Sequence, residues 1–116
     1  MGYRSDVKYI ISFNDKEQCA NFAAVMKMKG DENYAEAIKD WIFDDHLIRF
    51  GVEGWKWYDG YPVIAAHEAL LDEAIKMDGS YLFYRVGENF DDIEERYDGD
   101  DVPWDHVYVC RSVEFS

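Results

Sequence analysis

Residues 61–87 read YPVIAAHEALLDEAIKMDGSYLFYRVG, and this stretch decides the fold class because its clear helical pattern leads directly into a strand. Apolar side chains recur every three or four positions in the first part, and charged side chains fill the opposite face. Pro62 suits the first turn of the helix, where its missing N–H costs no hydrogen bond, and Gly79 suits its end. SYLFYRVG then predicts a strand with Leu82, Tyr84 and Val86 on one face.

The beginning of the chain predicts another strand and another helix. VKYIISF, residues 7–13, alternates large apolar side chains, and Ile10 on the opposite face indicates a strand covered on both sides. Asn14 precedes a helical pattern, and Glu17, three residues later, completes a capping pair. We expect this helix to end at Gly30.

Residues 31–43 predict a short further helix, or a bent continuation of the preceding one, with Asp31 as its cap. Two extended runs follow, HLIRFG and GWKWYDG. Gly51 and Gly54 lie where the first run ends and the second begins. A short junction that contains glycine is typical of a β-hairpin. We therefore expect two short strands that turn at these glycines.

The chain after residue 87 predicts further strands. DIEERY, residues 92–97, alternates and returns onto the preceding strand through the turn GENFD. HVYVCRSVEF, residues 106–115, closes the chain as one strand. The order of elements is α+β. It fits best a ferredoxin-like β-α-β-β-α-β core with a mostly antiparallel sheet, extended by one or two C-terminal strands, in a single domain of residues 1–116.

The charge of the chain is strongly acidic and unevenly distributed. The 12 basic and 25 acidic residues give a net charge of −13, which predicts repulsion from nucleic acids and anionic membranes. Residues 1–30 hold five bases and three acids, a net of +2, so the rest of the chain holds seven bases and 22 acids, a net of −15. No apolar run approaches the ~18 residues of a membrane-spanning helix. We expect no direct binding to nucleic acid and no membrane association.

Catalytic and cofactor motifs give little support to an enzyme. His46, His67 and His106 lack zinc-protease spacing, and the chain has neither a GxGxxG motif nor a P-loop. Cys19 and Cys110 are isolated among apolar residues, which is typical of buried reduced thiols and not of a zinc site. We expect no metal and no cofactor. The alternative is a small-substrate enzyme with His67 or His106 and a carboxylate as its acid–base pair, in a cleft between sheet and helix.

Residues 88–105 are the most acidic part of the chain, since nine of these eighteen residues are acids and Arg96 is the only base. Three interpretations stay open. The charges protect a solvated strand edge from pairing with other chains, or they bind calcium, or they occupy a basic groove on a partner at a density like that of nucleic-acid phosphates. The calcium ligands would be Asp98, Asp100, Asp101 and Asp105. Calcium is least favoured, because a glycine follows the first acid and a proline interrupts the loop.

Aromatic residues form a second distinctive group. WKWYDGYP brings together Trp55, Trp57, Tyr58 and Tyr61, as core packing or as an exposed binding patch, with core packing favoured for the tryptophans. The residues that we predict to contact a partner come from the acidic and the aromatic groups. They are Glu88, Asp91, Asp92, Glu94, Glu95, Asp98, Asp100, Asp101, Trp55, Trp57 and Tyr58.

The opening MGYRSDV and the segment YRVGENFDDIEER resemble small uncharacterised proteins encoded by bacteriophages and prophages. The resemblance implies a phage origin, expression in the cytoplasm of a bacterial host, and an accessory role. Together with the charge, it predicts a small acidic, non-enzymatic protein that binds a basic host protein, as an inhibitor or as a nucleic-acid mimic. We expect a monomer, or a homodimer formed through the N-terminal strand and helix or through residues 55–58.

Overall fold

The computed structural model describes residues 4–29, 32–58, 60–89 and 92–104, together with the backbone of residues 107–109 and 113–115. Its elements confirm the α+β class predicted from the sequence. In chain order they are β1 (Ser5–Ser12), α1 (Lys16–Lys29), α2 (Glu32–Ile38), β2 (Ile42–Asp44), β3 (Leu47–Trp55), α3 (Pro62–Lys76), β4 (Ser80–Gly87), β5 (Ile93–Asp98), β6 (Val107–Val109) and β7 (Val113–Phe115).

A five-stranded sheet in the order β2-β3-β1-β4-β5 organises the described part of the chain. Its four pairings are all antiparallel, which confirms the expected strand directions, and β5 extends the sheet beyond β4. β1 is the central strand, with Tyr9 opposite Phe50 of β3 and Phe83 of β4. β1 therefore has a hydrogen-bonded neighbour along each of its edges. The expectation of a homodimer through the N-terminal strand and helix, or through residues 55–58, stays a prediction.

The three helices cover one face of this sheet. Tyr9, Phe50 and Phe83 lie side by side on that face and are fully buried, and Phe22 of α1 and Leu70 of α3 belong to the same cluster. Burial of a large apolar side chain contributes about 1.5–3 kcal/mol relative to exposure. This cluster therefore supplies most of the cohesion between the helices and the sheet.

The opposite face of the sheet is also buried. Ile10 and Leu82 are completely shielded from solvent, and Val102, in the chain that follows β5, packs against their cluster. Cα atoms of β7 lie within 8 Å of Cα atoms in β1 and β4. The chain after β5 therefore returns over this face, and the prediction from Ile10 that β1 is covered on both sides is confirmed.

α3 and β4 follow the pattern that the sequence predicts. Pro62 occupies the first turn of α3. At the other end, the amide of Gly79 donates to the carbonyl of Ala74 at 2.8 Å. A Cβ atom at Gly79 would lie 2.7 Å from the ring of Phe13, so packing favours glycine here. The left-handed conformation at this helix end belongs to Asp78, which has a φ of 65°.

The start of α1 differs from the predicted capping pair by one residue. Asp15 Oδ1 accepts from the Gln18 amide at 2.8 Å, and Gln18 Oε1 accepts from the Asn14 amide at 3.0 Å. Asp15 and Gln18 therefore take the roles predicted for Asn14 and Glu17. The pattern differs from a capping box in that Gln18 reaches the amide of Asn14, one residue before the cap, and not the amide of Asp15. The prediction was wrong by one position because both asparagine and aspartate suit a cap. Gly30 and Asp31 lie outside the described residues.

The predicted hairpin at Gly51 and Gly54 is wrong. β3 runs without interruption through both glycines and pairs with β2, which the helical pattern of residues 31–43 had included in a helix. The turn lies instead at Asp45 and His46, where Asp45 has a φ of 56°. Gly54, with a φ of 67°, lies where β3 has one extra residue relative to β1, so this glycine marks a bulge.

The C-terminal segment forms two strands where the sequence predicts one. β6 and β7 pair with each other in a separate two-stranded antiparallel sheet. An alternating pattern does not reveal where one strand ends and the next begins, so residues 106–115 read as a single strand.

Candidate functional site

A groove of about 830 Å³ lies between α3 and the β4–β5 hairpin, and we call it the α3–β5 groove. Trp57 and Tyr58, which follow β3, line one part of it. α3 contributes Glu68 and Asp72 to its wall. The remaining charged lining comes from the hairpin and consists of Arg85, Asp92, Glu94 and Arg96. The groove thus brings together two groups of predicted partner-binding residues that are distant in sequence.

The pleat of β5 determines which of its residues face the groove. Glu94 pairs with Arg85, and Arg96 pairs with Phe83, whose ring belongs to the helix-side core. Alternate residues of a strand point to opposite faces, so Glu94 and Arg96 face α3 while Glu95 faces away. This confirms the two faces that the alternation of DIEERY predicts.

Arg85 neutralises two of the predicted acids. Its terminal nitrogens donate to Asp92 at 3.1 and 3.2 Å, and its Nε donates to Glu94 at 3.0 Å. A further donation reaches the hydroxyl of Ser5 at 3.1 Å. Burial favours a lower pKa for Arg85, but the hydrogen bonds to Asp92 and Glu94 outweigh it and the pKa is raised. Arg85 therefore stays charged and holds both carboxylates against the sheet.

Arg96 continues the row of alternating charges toward α3. Its Nη2 donates to Glu68 at 2.6 Å, and its guanidinium lies 4.1 Å from the centre of the Phe83 ring. Arg96 Nε lies 2.8 Å from Glu94 Oε2, close enough for charge attraction, but the angle leaves this N–H without a hydrogen bond. Glu94 thus lies between two guanidinium groups, and the helix side of β5 is largely neutralised.

Four further predicted acids are exposed and have no base paired with them in the described part of the chain. Glu95, Asp98, Asp100 and Asp101 make no ion pair within residues 4–104 that the structure describes, and we call this set the β5 acidic edge. Glu95 accepts from the Tyr84 hydroxyl at 2.7 Å. These four side chains form the acidic surface that remains available to a partner.

Glu88 and Asp91 are predicted acids that precede β5 in the sequence. Glu88 accepts from the backbone amide of Arg4 at 2.9 Å, which ties it to the start of β1. Asp91 lies outside the described residues. Glu88 is itself exposed, so among the predicted acids that the structure describes, the exposed ones are Glu88 and those that continue past Glu94 along β5 and into the following loop.

The predicted aromatic residues divide between core and surface. Trp55 and Trp57 are partly buried and pack on Phe50, with ring centres 6.1 and 6.2 Å apart, which confirms core packing as their main role. Tyr58 is exposed and meets Tyr61 edge to face at 5.5 Å. Of these four residues, Tyr58 and Tyr61 present the larger aromatic surface to solvent.

Sequence reasoning missed another exposed aromatic pair. Tyr97 and Trp104 lie edge to face with ring centres 4.7 Å apart, and they are 56% and 46% exposed. They border the β5 acidic edge, since Tyr97 is next to Asp98 in sequence and Trp104 follows Asp101 closely. The sequence feature that could have revealed Tyr97 as exposed is the alternation of β5, which places Tyr97 on the same face as Glu95.

His67, which the enzymatic alternative uses as an acid–base group, is buried in the core. It is 1% exposed, and its Nδ1 shares a hydrogen bond of 2.7 Å with the Tyr9 hydroxyl. That hydroxyl accepts from the indole N–H of Trp41 at 2.8 Å. Burial lowers the pKa of His67 to about 4. It does not line the α3–β5 groove. His46 pairs with Asp45 on an exposed turn, and His106 lies outside the described residues.

The described residues show neither a metal site nor an exposed thiol. Within residues 4–104, apart from the gaps, no group of three or more His, Cys, Asp or Glu side chains is arranged to hold a metal ion. Asp105, the fourth calcium ligand of that hypothesis, is outside the described residues. Cys19 is buried, as predicted, and burial raises the pKa of its thiol to about 11.

No described helix is both long enough and apolar enough to cross a bilayer. Comparisons of the chain with protein-family models, with curated proteins and with solved structures find no match.

Proposed function

We propose that this chain is a non-enzymatic binding protein that engages the basic surface of another protein through the β5 acidic edge. One observation carries the proposal: the exposed pair of Tyr97 and Trp104 borders four acids that no described base neutralises. Tyrosine and tryptophan dominate the energetics of protein interfaces, and surrounding charges steer the encounter and select the partner. The edge combines both properties.

The division of the acids supports a binding role over a purely protective one. A strand edge is protected from pairing by charges on or near its backbone. On β5 the acid that faces the helices, Glu94, is paired with Arg85 and Arg96. The exposed charges continue beyond the strand to Asp100 and Asp101, where there is no edge to protect.

The groove does not favour the alternative of a small-substrate enzyme. Acid–base catalysis requires a titratable group within hydrogen-bond reach of the substrate. The carboxylates Glu68 and Glu94 are held by arginines, and His67 is buried away from the groove lining. We therefore propose binding and not turnover.

The finer identity of the partner follows from the resemblance to phage-encoded proteins. It supports an accessory protein in the bacterial cytoplasm whose basic partner is a host protein that it inhibits. Mimicry of nucleic acid is the less favoured form of this proposal. Arg96 stands between Glu94 and Asp98 on the same face of β5 and interrupts the row of negative charge.

We also propose that β1–β4 with α1 and α3 form a ferredoxin-like core. The support is their order, in which each of two helices follows a strand and returns the chain to the same sheet. α2, β5 and the β6–β7 pair are then additions to that core.

Capture of partners from bacterial lysate on the immobilised chain tests the proposed function. The edge variant replaces the four acids of the β5 acidic edge by their amides, which preserves the acceptor for Tyr84. A control variant makes the same change in charge at exposed acids elsewhere. Its substitutions are Glu17→Gln, Glu32→Gln, Asp40→Asn and Glu53→Gln.

We expect the wild type and the control variant to capture the same protein at low salt and to lose much of it at about 0.5 M salt, where screening is strong. The edge variant should capture about tenfold less or lower still, from the loss of four charges at an interface. Equal capture by the edge and control variants would contradict the proposal.

A further inference from the structure

We propose that a basic segment of the partner protein binds as an additional antiparallel strand along the free edge of β5, the edge that faces away from β4. The segment alternates apolar and basic side chains, with an apolar residue opposite Ile93, a base opposite Glu95 and an apolar residue opposite Tyr97. This inference rests on the proposed function, and it adds the conformation and the side-chain pattern of the partner segment.

Within the described chain, the backbone of β5 has one edge without a partner strand. β5 is the last strand in the order β2-β3-β1-β4-β5, and it pairs with β4. An edge of this kind presents a row of N–H and C=O groups that point outward. When a peptide adds to a sheet as a further strand, hydrogen bonds to such a row provide affinity and the alternate side chains provide specificity.

Over residues 99–104, the chain that follows β5 turns away from this edge. The amide of Asp101 donates to the hydroxyl of Ser80, on β4, at 3.0 Å. Val102 then packs against the cluster of Ile10 and Leu82, which belongs to β1 and β4. This segment therefore runs across one face of the sheet toward β1 and does not lie along the outer edge of β5.

The two edges of the five-stranded sheet differ in their capacity to accept a strand. β2, at the opposite edge, has three residues, and a very short edge strand is one of the ways in which proteins prevent pairing. β5 has six residues, which is about the usual length of a strand. Of the two edges, β5 therefore offers the longer row of backbone groups.

One face of β5 alternates apolar and acidic side chains. Ile93 and Tyr97 are 48% and 56% exposed, and Glu95, between them on the same face, is also exposed. Side chains directly opposite each other on neighbouring antiparallel strands interact, and opposite charges stabilise such a pair. A strand with an apolar, a basic and an apolar residue on one face thus matches this face of β5.

The charge of the β5 acidic edge selects a basic segment. Its four carboxylates make no ion pair with the rest of the described chain, and three of them, Asp98, Asp100 and Asp101, come shortly after Tyr97. Because the added strand is antiparallel, the residues that precede its first apolar position lie beside these acids. Bases at those positions are attracted to them, which fixes the direction of the segment.

On the helix side of β5 the charges are already paired within the chain. Glu94 lies between Arg85 and Arg96, and Arg96 also donates to Glu68. The α3–β5 groove, of about 830 Å³, lies over this side of the strand. Small neutral side chains of an added strand therefore have room on the helix side and need no charge there.

A second copy of this chain fits the edge less well than a basic segment does. The antiparallel pairing that matches Ile93 with Tyr97 of the other copy places Glu95 opposite Glu95, and like charges in that position are destabilising. Each chain also carries a net charge of −13, which opposes association through an acidic edge. Charge complementarity thus favours a basic segment of another protein.

Titration of the full chain with synthetic peptides, followed by NMR of the β5 backbone amides, tests this inference. The probe is the blocked peptide Lys-Lys-Val-Thr-Arg-Thr-Val, and the comparison peptide has glutamate in place of each base. We expect the basic peptide to bind saturably and to slow hydrogen exchange at alternate amides of β5, and the acidic peptide not to bind. Lack of saturable binding by the basic peptide, or equal binding of the two peptides, would overturn the inference.

Methylation of peptide nitrogens separates strand addition from charge attraction alone. Methyl groups on alternate residues of the basic peptide remove the N–H donors from one of its edges and leave its charge unchanged. One alternate set should weaken binding about tenfold or more through lost hydrogen bonds, whereas the other set should have little effect. Equal effects of the two sets would show that the peptide does not pair with a strand edge.

A variant and a matched control locate the site on β5. Glu95→Gln should weaken the basic peptide about two- to fivefold, the effect of one exposed ion pair. Glu53→Gln makes the same change at an exposed acid of β3 and should leave the affinity unchanged. Equal losses in the two variants would contradict binding along β5.

Sedimentation of the chain with and without the basic peptide tests the second copy as the occupant. We expect the peptide to add only its own mass to the sedimenting species. A dimer of the chain that the peptide dissociates would show that a second copy occupies this edge, and the inference would fail.

Lysate capture separates this inference from the proposed function. If the edge variant loses the partner while the two methylated sets bind the wild type equally, strand addition fails and the proposed function stands. If the edge variant captures the partner like the control variant, the proposed function fails whatever the peptides show.

Discussion

Arg85 and Glu94 face each other across the β4–β5 pair, and Arg85 Nε donates to Glu94 at 3.0 Å while its terminal nitrogens hold Asp92. A single base on the neighbouring strand therefore holds two acids of the most acidic segment. The arrangement fixes β5 to the sheet and leaves the negative charge on the residues that follow.

Replacement of Arg85 by methionine should destabilise the fold by about 1–3 kcal/mol, because Asp92 and Glu94 would be left partly buried without their base. Lys39→Met is the control, since the pair of Lys39 and Glu36 is exposed on both sides and should contribute little to stability. Urea unfolding of both variants measures the difference. Equal losses would mean that the β4–β5 ion pairs behave as ordinary surface pairs.

The free energy of unfolding should fall as the pH drops from 6.5 toward 4. The pKa of His67 is lowered to about 4 from its ordinary 6.5, so the unfolded chain binds a proton in this window that the folded chain does not. The loss amounts to about 3 kcal/mol at the acid end. Glu73, whose pKa the hydrogen bond from Lys29 lowers, acts in the same direction.

The variant His67→Leu separates the contribution of the histidine to this pH dependence from the contribution of carboxylates such as Glu73. Thermal or urea unfolding of this variant between pH 4 and 6.5 should show a shallower dependence on pH than the wild type, whatever its absolute stability. His46→Asn, at an exposed turn, should keep the wild-type slope. A slope in His67→Leu as steep as that of the wild type would show that burial of the imidazole is not the cause.

Gly79→Ala should destabilise the protein by about 1–3 kcal/mol, the range for overpacking a filled site. The new methyl group would lie 2.7 Å from the ring of Phe13 and 3.0 Å from the carbonyl of Ala74. Gly60→Ala is the matched control, since a Cβ there meets nothing within 4 Å. Chemical unfolding should find the control within about 1 kcal/mol of the wild type. A neutral Gly79→Ala would contradict the packing described at the end of α3.

Tyr97→Ser should reduce partner capture while leaving the fold intact, because its ring is 56% exposed and stacks mainly on another exposed residue, Trp104. Loss of an aromatic interface residue typically weakens binding by about 1–2 kcal/mol or more. Tyr61→Ser changes the same residue type at 44% exposure away from β5 and is the control. Unchanged capture by Tyr97→Ser, with normal capture by the control, would remove the aromatic part of the proposed interface.

Much of the fold was predictable from local periodicity. The helix that begins at Pro62, the strand that follows Gly79 and the edge strand of DIEERY all emerge from apolar spacing, because each buries one regular face. The hairpin of β2 and β3 did not emerge. β2 has only three residues, too few for a period, and its turn uses Asp45 in a conformation that the sequence signals less strongly than glycine does.

The site was predictable in its parts and not in its assembly. The acids and the tryptophans stood out in the sequence, but their meeting in one groove depends on how α3 packs beside β5. The neutralisation of Glu94 depends on the register of the β4–β5 pair, and a slip by one residue would turn Glu94 away from Arg85. Charge counting alone gives no such register, which is why the acidic stretch appeared uniform.

The most direct test of the central claim is the amount of partner captured from bacterial lysate by the edge variant and by the charge-matched control variant, at low salt and at about 0.5 M salt. The account predicts that the control variant captures the partner like the wild type, that high salt releases it, and that the edge variant captures about tenfold less or lower still. Capture by the edge variant at the level of the control, or capture that salt does not weaken, would contradict the account.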